Sequence, residues 1–173
     1  MSEASASPDF RIEVKVLDPR VFEWGLPRRH SDLAAGVDLY ACVDDRLVVP
    51  AESPATLVSS GLAVYIGVPN VAGLIVPRSG RGHGGLVLGN AIGILDADYS
   101  GPLMISVWNR RAAGTEPIVI EPGDRIAQLI FVPVLNPVLE VVEAFSSESV
   151  RGAGGFGSTG LAARTGEPRA GAR

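Results

Sequence analysis

Sulfur, lysine and histidine are nearly missing from this 173-residue sequence. Cys42 is its only cysteine, which excludes an internal disulfide framework and a thiolate metal cluster. His30 and His83, the only histidines, lack ligand spacing and read as ordinary loop residues, so no zinc site is expected. Lys15 is the only lysine, and the remaining basic charge is arginine, whose planar fork suits phosphate. A formal charge of −4 provides no basic surface for coating nucleic acid, so any polyanion must meet a local cluster. No apolar run approaches the ~18 to 20 residues of a membrane helix. Residues 1–9 have neither a basic start nor an apolar segment, so no secretory signal is expected. The resulting expectation is a cytoplasmic protein with no nucleic-acid or membrane partner.

Helical periodicity is also scarce. What is present is alternation, clearest from Phe10 to Val16, where apolar and charged residues trade places as in a half-buried strand. Further strand-like runs lie at Val37 to Cys42, Leu47 to Val49, Thr56 to Ser59, Leu62 to Ile66 and Gly73 to Val76. Others follow at Leu86 to Leu88, Ile92 to Leu95, Met104 to Trp108, Ile118 to Ile120, Ile126 to Val134 and Val138 to Val142. Gly or Pro separates most of them, which predicts an all-β single domain, a barrel or sandwich, over residues 10–145. The best candidate for a helical turn follows Ser79, against the glycines at 80, 82, 84 and 85. Residues 1–9 read as a disordered extension, 146–160 as a flexible glycine-rich arm and 161–173 as a disordered tail.

Several segments carry polar chemistry. Leu88 to Leu95 runs into Asp96-Ala-Asp98-Tyr99-Ser-Gly101, and an apolar strand resumes at Leu103, which reads as a β-hairpin. As a bare pattern, Asp96 and Asp98 are turn formers as readily as reactive carboxylates. Asp38 alternates with Val37 and Leu39, so it points away from them. Arg78-Ser79-Gly80 ends an apolar strand and offers a charged fork, a hydroxyl and an open amide. Arg125 and Gln128 are three apart, on opposite faces of a regular strand, leaving Arg125 open to a phosphate-side or a salt-bridge role. Arg151 to Gly160 has glycine at five of ten positions. That composition fits a linker, but Phe156 has no core to join there and suits stacking on a base. The glycines and the Ser158 and Thr159 hydroxyls suit phosphate, although no Gly-Lys-Ser/Thr loop occurs.

Taken in order, Ala35-Gly-Val-Asp-Leu-Tyr-Ala41, Pro77-Arg-Ser-Gly80, the 88–101 segment, Pro122-Gly-Asp-Arg-Ile-Ala-Gln-Leu-Ile130 and Arg151 to Gly160 resemble the five motifs of the trimeric dUTPases. The resemblance spans roughly Phe10 to Gly160. It implies a jelly-roll-like β-barrel, hydrolysis of dUTP to dUMP and pyrophosphate, Mg²⁺ as cofactor, and a homotrimer with active sites shared between subunits.

The resemblance also implies roles. Asp96 is the general base for water attack at the α-phosphorus, and Asp38 orients waters around Mg²⁺. Arg78, Ser79, Gly80 and Gln128 meet the triphosphate. Asn90 and the backbone at Ile94, Leu95 and Met104 read uracil, while Tyr99 lies against the deoxyribose and excludes a 2′-hydroxyl. Arg151, Phe156, Gly157, Ser158 and Thr159 close over the nucleotide, Phe156 on uracil and the others on the terminal phosphates. The segment from Ser79 to Asn90 is one residue shorter than the family pattern, so the helix expected there is in question, with Arg81 or His83 in place of its basic residue. The related dCTP deaminases carry a glutamate on the strand after the 96–101 turn; Ser106 occupies that position here and cannot activate water alone.

Overall fold

The computed structural model describes residues 11–147; the proposed N-terminal extension, Arg151 to Thr159 of the arm, and the tail lie outside them. Residues 11–136 belong to one compact unit, and 137–147, the described start of a second, contain no helix or strand. The predicted strand at Val138 to Val142 is therefore absent. That segment has the composition of a strand, but no neighbouring strand pairs with it.

Ten strands and two single-turn helices make up the first unit. β1 (Glu13–Val16), β4 (Thr56–Tyr65), β8 (Pro102–Asn109) and β6 (Leu86–Leu88) form one antiparallel sheet in that order. A second antiparallel sheet has the order β2 (Gly36–Tyr40), β10 (Arg125–Pro133), β5 (Val71–Pro77) and β7 (Gly93–Leu95). β3 (Leu47–Val49) and β9 (Ile118–Ile120) pair as a separate ribbon. Inward residues from all three sheets, among them Leu39, Val49, Leu62, Leu103, Ile105, Ile120 and Leu129, form a single buried cluster. Alternation is strict along β8, where Leu103, Ile105 and Val107 are buried while Met104 and Trp108 are exposed. The fold is all-β and jelly-roll-like, as expected.

Two predicted strands, Thr56 to Ser59 and Leu62 to Ile66, are one long strand interrupted by a bulge. Gly61 makes the bulge possible, at φ +72 and with a hypothetical Cβ only 2.7 Å from Val21 Cγ2. Its carbonyl accepts from Leu17 and Asp18 amides at 2.8 and 3.1 Å, so the bulge also anchors the turn leaving β1.

Helix α1 (Arg20–Trp24) has no periodic signal because five residues are too few for one. Polar contacts hold it. The Asp18 carboxylate accepts from the Arg20 amide at 2.9 Å and from its guanidinium at 2.7 and 3.0 Å. Arg20 also donates to the Val43 carbonyl at 3.0 Å and pairs with Asp44 at 3.0 Å, joining α1 to the segment after β2. These hydrogen bonds hold the Asp18 carboxyl well below its ordinary range. Burial, aided by the adjacent Asp18, pushes the Cys42 thiol up to about 11.

Gly61→Ala should cost about 1–3 kcal/mol in urea unfolding, through both the backbone strain and the clash with Val21; an unchanged unfolding free energy would show that the bulge can relax. In a titration followed by ultraviolet thiolate absorbance, Cys42 should ionise near pH 11. Asp18→Asn should move that transition downward, because it removes a neighbour that favours the neutral thiol. A thiolate already formed at neutral pH would contradict this environment.

Candidate active site

The second sheet builds a cleft at one end. β10 lies between β2 and β5, and Gln128 stands opposite Asp38 on one side and Val76 on the other. A bulge at Ile126 then sets Arg125 opposite Tyr40, two residues from Asp38 on β2. The extra residue changes the strand's parity, so Arg125 and Gln128 share a face instead of opposing one another. β5 ends at Pro77, Arg78 continues it in extended conformation, and α2 (Ser79–His83) begins immediately after. The cleft has a volume of about 310 Å³. It is lined by His30, Ala34 and Ala35 from the loop before β2, by Gly36 and Asp38 of β2, and by Gln128 and the run Arg78 to Gly80.

Asp38 sits at the centre of the local charge. It is only 7% exposed, not a residue of a solvated face, and a carboxylate so placed needs partners. Its Oδ1 meets Arg78 Nε at 2.7 Å, while Oδ2 meets His30 Nε2 at 2.9 Å and Arg125 Nη1 at 3.2 Å. Arg125 thus makes the ion pair that was one of the two roles left open by the sequence. One carboxylate cannot neutralise two guanidinium groups, so the cleft keeps an excess of positive charge suited to an anion. Gln128 donates through Nε2 to the Pro77 carbonyl at 3.1 Å, which ties its side chain to the end of β5, just before Arg78. Nothing lies within 4 Å of where a Cβ on Gly80 would stand, so the protein's own packing does not require glycine there. No group of three or more Asp, Glu, His or Cys among the described residues is arranged to hold a metal. One carboxylate among arginines fits a hard cation carried mainly by phosphate oxygens and water, as Mg²⁺ commonly is.

The shortened 79–90 segment does form its helix, despite the glycines. Arginines from beyond β8 hold its C-terminal carbonyls, with Arg110 Nη2 donating to Gly82 at 3.1 Å and Arg111 Nε to Gly84 at 2.7 Å. Arg81 pairs with Asp124 at 2.7 Å, while His83 is exposed.

Residues 89–104 form a second group. They are not a simple hairpin, because β7 pairs with β5 in one sheet while β8 pairs with β4 and β6 in the other. The chain leaves β6, crosses to the second sheet for three residues and returns to pair with β6 through β8. The turn after Leu88 places Ala91 at φ +62, beside an exposed Asn90. Ile94 is 72% exposed, whereas the Leu95 side chain is buried, leaving only its backbone available to a ligand. The Asp96 carbonyl accepts from the Tyr99 amide at 3.2 Å, and its side chain is exposed. Tyr99 donates its hydroxyl to the Pro102 carbonyl at 2.9 Å, folding the ring over Gly101, where a Cβ would lie 2.6 Å from Oη. Met104 is 40% exposed.

The two groups do not meet within one chain. Leu95 pairs with Gly73 near the beginning of β5, so Asp96 stands level with Ala72, whereas Arg78 follows its other end. Six residues of extended chain separate those levels by roughly 20 Å. Two features were missed from sequence: the place of His30 in the cleft, and the parity change that brings Arg125 to Asp38. The only hint of the first was the basic run Arg28-Arg29-His30.

The dUTPase family model matches residues 23–160. Deoxyuridine 5'-triphosphate nucleotidohydrolase from Psychrobacter cryohalolentis is 51% identical over 153 residues, covering 86% of this chain and 97% of that protein. The enzyme of the same name from Coxiella burnetii is 50% identical over 151 residues, covering 86% and 96%. Among solved structures, a mutant Staphylococcus bacteriophage 80alpha dUTPase with dUpNHpp superposes with a TM-score of 0.72 at 28% identity, covering 87% of this chain and 99% of that one. A mutant dUTPase from phage phi11 of S. aureus, described with a structural Mg(II) ion, gives 0.67 at 27% identity over 79% and 99%. On the extent of the family match and the identity to these relatives, the chain belongs to the dUTPase family.

Proposed function

We propose that this protein is a dUTP diphosphatase, hydrolysing dUTP to dUMP and pyrophosphate. The observation that carries the reading is the excess-cationic cleft around Asp38, in a chain whose net charge is −4. In this reading Arg78, Ser79, the Gly80 amide and Gln128 hold the phosphates. Asp38 would orient the waters of a Mg²⁺ carried by the phosphates, and that ion would supply neutralisation of their charge.

Asp96 takes the proton from the attacking water as it adds to the α-phosphorus, and pyrophosphate leaves in line. Its exposed carboxylate has no hydrogen-bond or ion-pair partner among the described residues, so its lone pairs are available to water. Asn90 and the backbone of Ile94, Leu95 and Met104 read uracil, an amide being able to donate and accept together. Tyr99, steadied by its bond to Pro102, packs on the deoxyribose and rejects a 2′-hydroxyl by contact. Arg151, Phe156, Gly157, Ser158 and Thr159 complete the site as a closing arm, with residues 10–145 as the catalytic domain. The enzyme acts on free cytoplasmic nucleotide, keeping uracil out of DNA and supplying dUMP for dTMP synthesis.

The separation along β5 supports a shared site. One substrate cannot meet Asp96 and the Arg78 cleft of a single chain some 20 Å apart, but copies in a homotrimer can supply one group each.

Pyrophosphate release measured with each dNTP and UTP in Mg²⁺ buffer should favour dUTP by about 100-fold or more. Comparable UTP turnover would remove the sugar filter from Tyr99, and ammonia release from dCTP would reassign the chain to the deaminases. Trimers made only of Asp96→Asn chains, or only of Arg78→Ala chains, should be nearly inactive. Co-refolding the two should restore about a quarter of the sites, since random mixing pairs an intact Asp96 with an intact Arg78 at that frequency. Mixed trimers confirmed by mass spectrometry yet inactive would mean that each chain serves its own site.

A further inference from the structure

His30 lies in the cleft, yet nothing in the chemistry above uses it. Its Nε2 is 2.9 Å from Asp38 Oδ2 and 3.1 Å from Arg125 Nη1, which is itself 3.2 Å from the same oxygen. The three atoms form a nearly equilateral triangle. With its hydrogen on Nε2, as the 2.9 Å approach to a carboxylate oxygen requires, the imidazole donates to Oδ2 beside Arg125, and the two donor nitrogens, 3.1 Å apart, crowd each other. A second acceptor in the cleft would relieve that crowding by giving one donor its own oxygen.

The imidazole can reach such an acceptor. His30 has a side-chain exposure of 48% and shares the cleft with Arg78, Ser79 and Gly80. Its loop is also the basic run Arg28-Arg29-His30, within an acidic chain. Local bonds shape that loop, with Ala34 N donating to Ser31 O at 3.0 Å and Arg29 Nη1 to Asp32 O at 3.3 Å.

The geometry points to His30 as a further substrate-contacting residue, an imidazole N–H donor to the oxygens of the phosphates beyond the α-phosphate. This rests on the reading that the cleft takes a nucleoside triphosphate. The α-phosphorus must face Asp96, supplied by another copy, so the groups of this cleft meet the outer phosphates. His30 then shares those oxygens with Arg78 while Asp38 retains Arg125, and the crowded triangle opens when substrate arrives.

Calorimetric titration of the full chain in Mg²⁺ buffer, with a nonhydrolysable imido analogue of dUTP and with dUMP, tests this. His30→Ala should weaken the analogue by about tenfold, the loss of one charge-assisted hydrogen bond, and leave dUMP within about twofold. His30→Gln keeps an N–H donor at similar reach and should recover most of the analogue's affinity with an unchanged melting midpoint. Unchanged analogue binding in His30→Ala, or equal loss for both ligands, would overturn the assignment. So would a well-folded His30→Gln as weak as His30→Ala. If wild-type protein held the imido analogue of dCTP as tightly as that of dUTP, the substrate reading would fall. The place of His30 is judged separately, by the triphosphate-to-monophosphate ratio, which does not depend on the base.

Discussion

The buried Asp38 carboxylate is the interaction on which the candidate site depends. A single side chain gathers Arg78 from the β5–α2 junction, Arg125 from β10 and His30 from the loop before β2. Remove it, and two part-exposed guanidinium groups would face one another without a counter-charge, their repulsion eased only by solvent screening. The same carboxylate fixes the direction of Arg78 in advance of any ligand. An arginine already held in one rotamer loses less entropy on meeting phosphate than one recruited from solvent.

Much of the fold was legible because its strands are short and bounded by Gly or Pro. β3, β6 and β9 coincide with short apolar runs read from the sequence beside Gly or Pro. What escaped was whatever one or two inserted residues can alter. Gly61 turns two apparent strands into one, and Ile126 brings Arg125 to the side that a regular strand would deny it. A period-two pattern carries no mark of an inserted residue until the partner strand is known. The apparent hairpin at 88–108 failed for a related reason, since sequence shows where strands turn but not which sheet receives them. α1 depends on Asp18 and Arg20 acting across the fold, and Val138 to Val142 lacks a partner strand. The site was legible as residue types, through Asp38, Arg78 and Gln128. Its connectivity was not, because His30 reaches Asp38 across a loop that no periodicity describes.

The two polar groups differ in how they are held. Around Asp38, order comes from ion pairs among side chains on two strands, a strand–helix junction and a loop. In 89–104 it comes from the backbone: a positive-φ Ala91, a tight turn at Asp96 and the tether from Tyr99 to Pro102. Charge matching tolerates small displacements, whereas selection against one extra hydroxyl needs a wall that does not yield. Each kind of support suits the discrimination asked of it in the proposed reaction.

β8 starts beside the Tyr99 tether and ends beside the arginines that grip α2. It is therefore a strut, with the turn proposed to face the sugar at one end and the helix proposed to face the phosphates at the other. If sites are shared around a closed ring, those two ends serve different substrates. The glycine-rich helix takes its footing from the far end of that strut. Neighbouring pockets are then joined in series through β8, a strand paired on both edges.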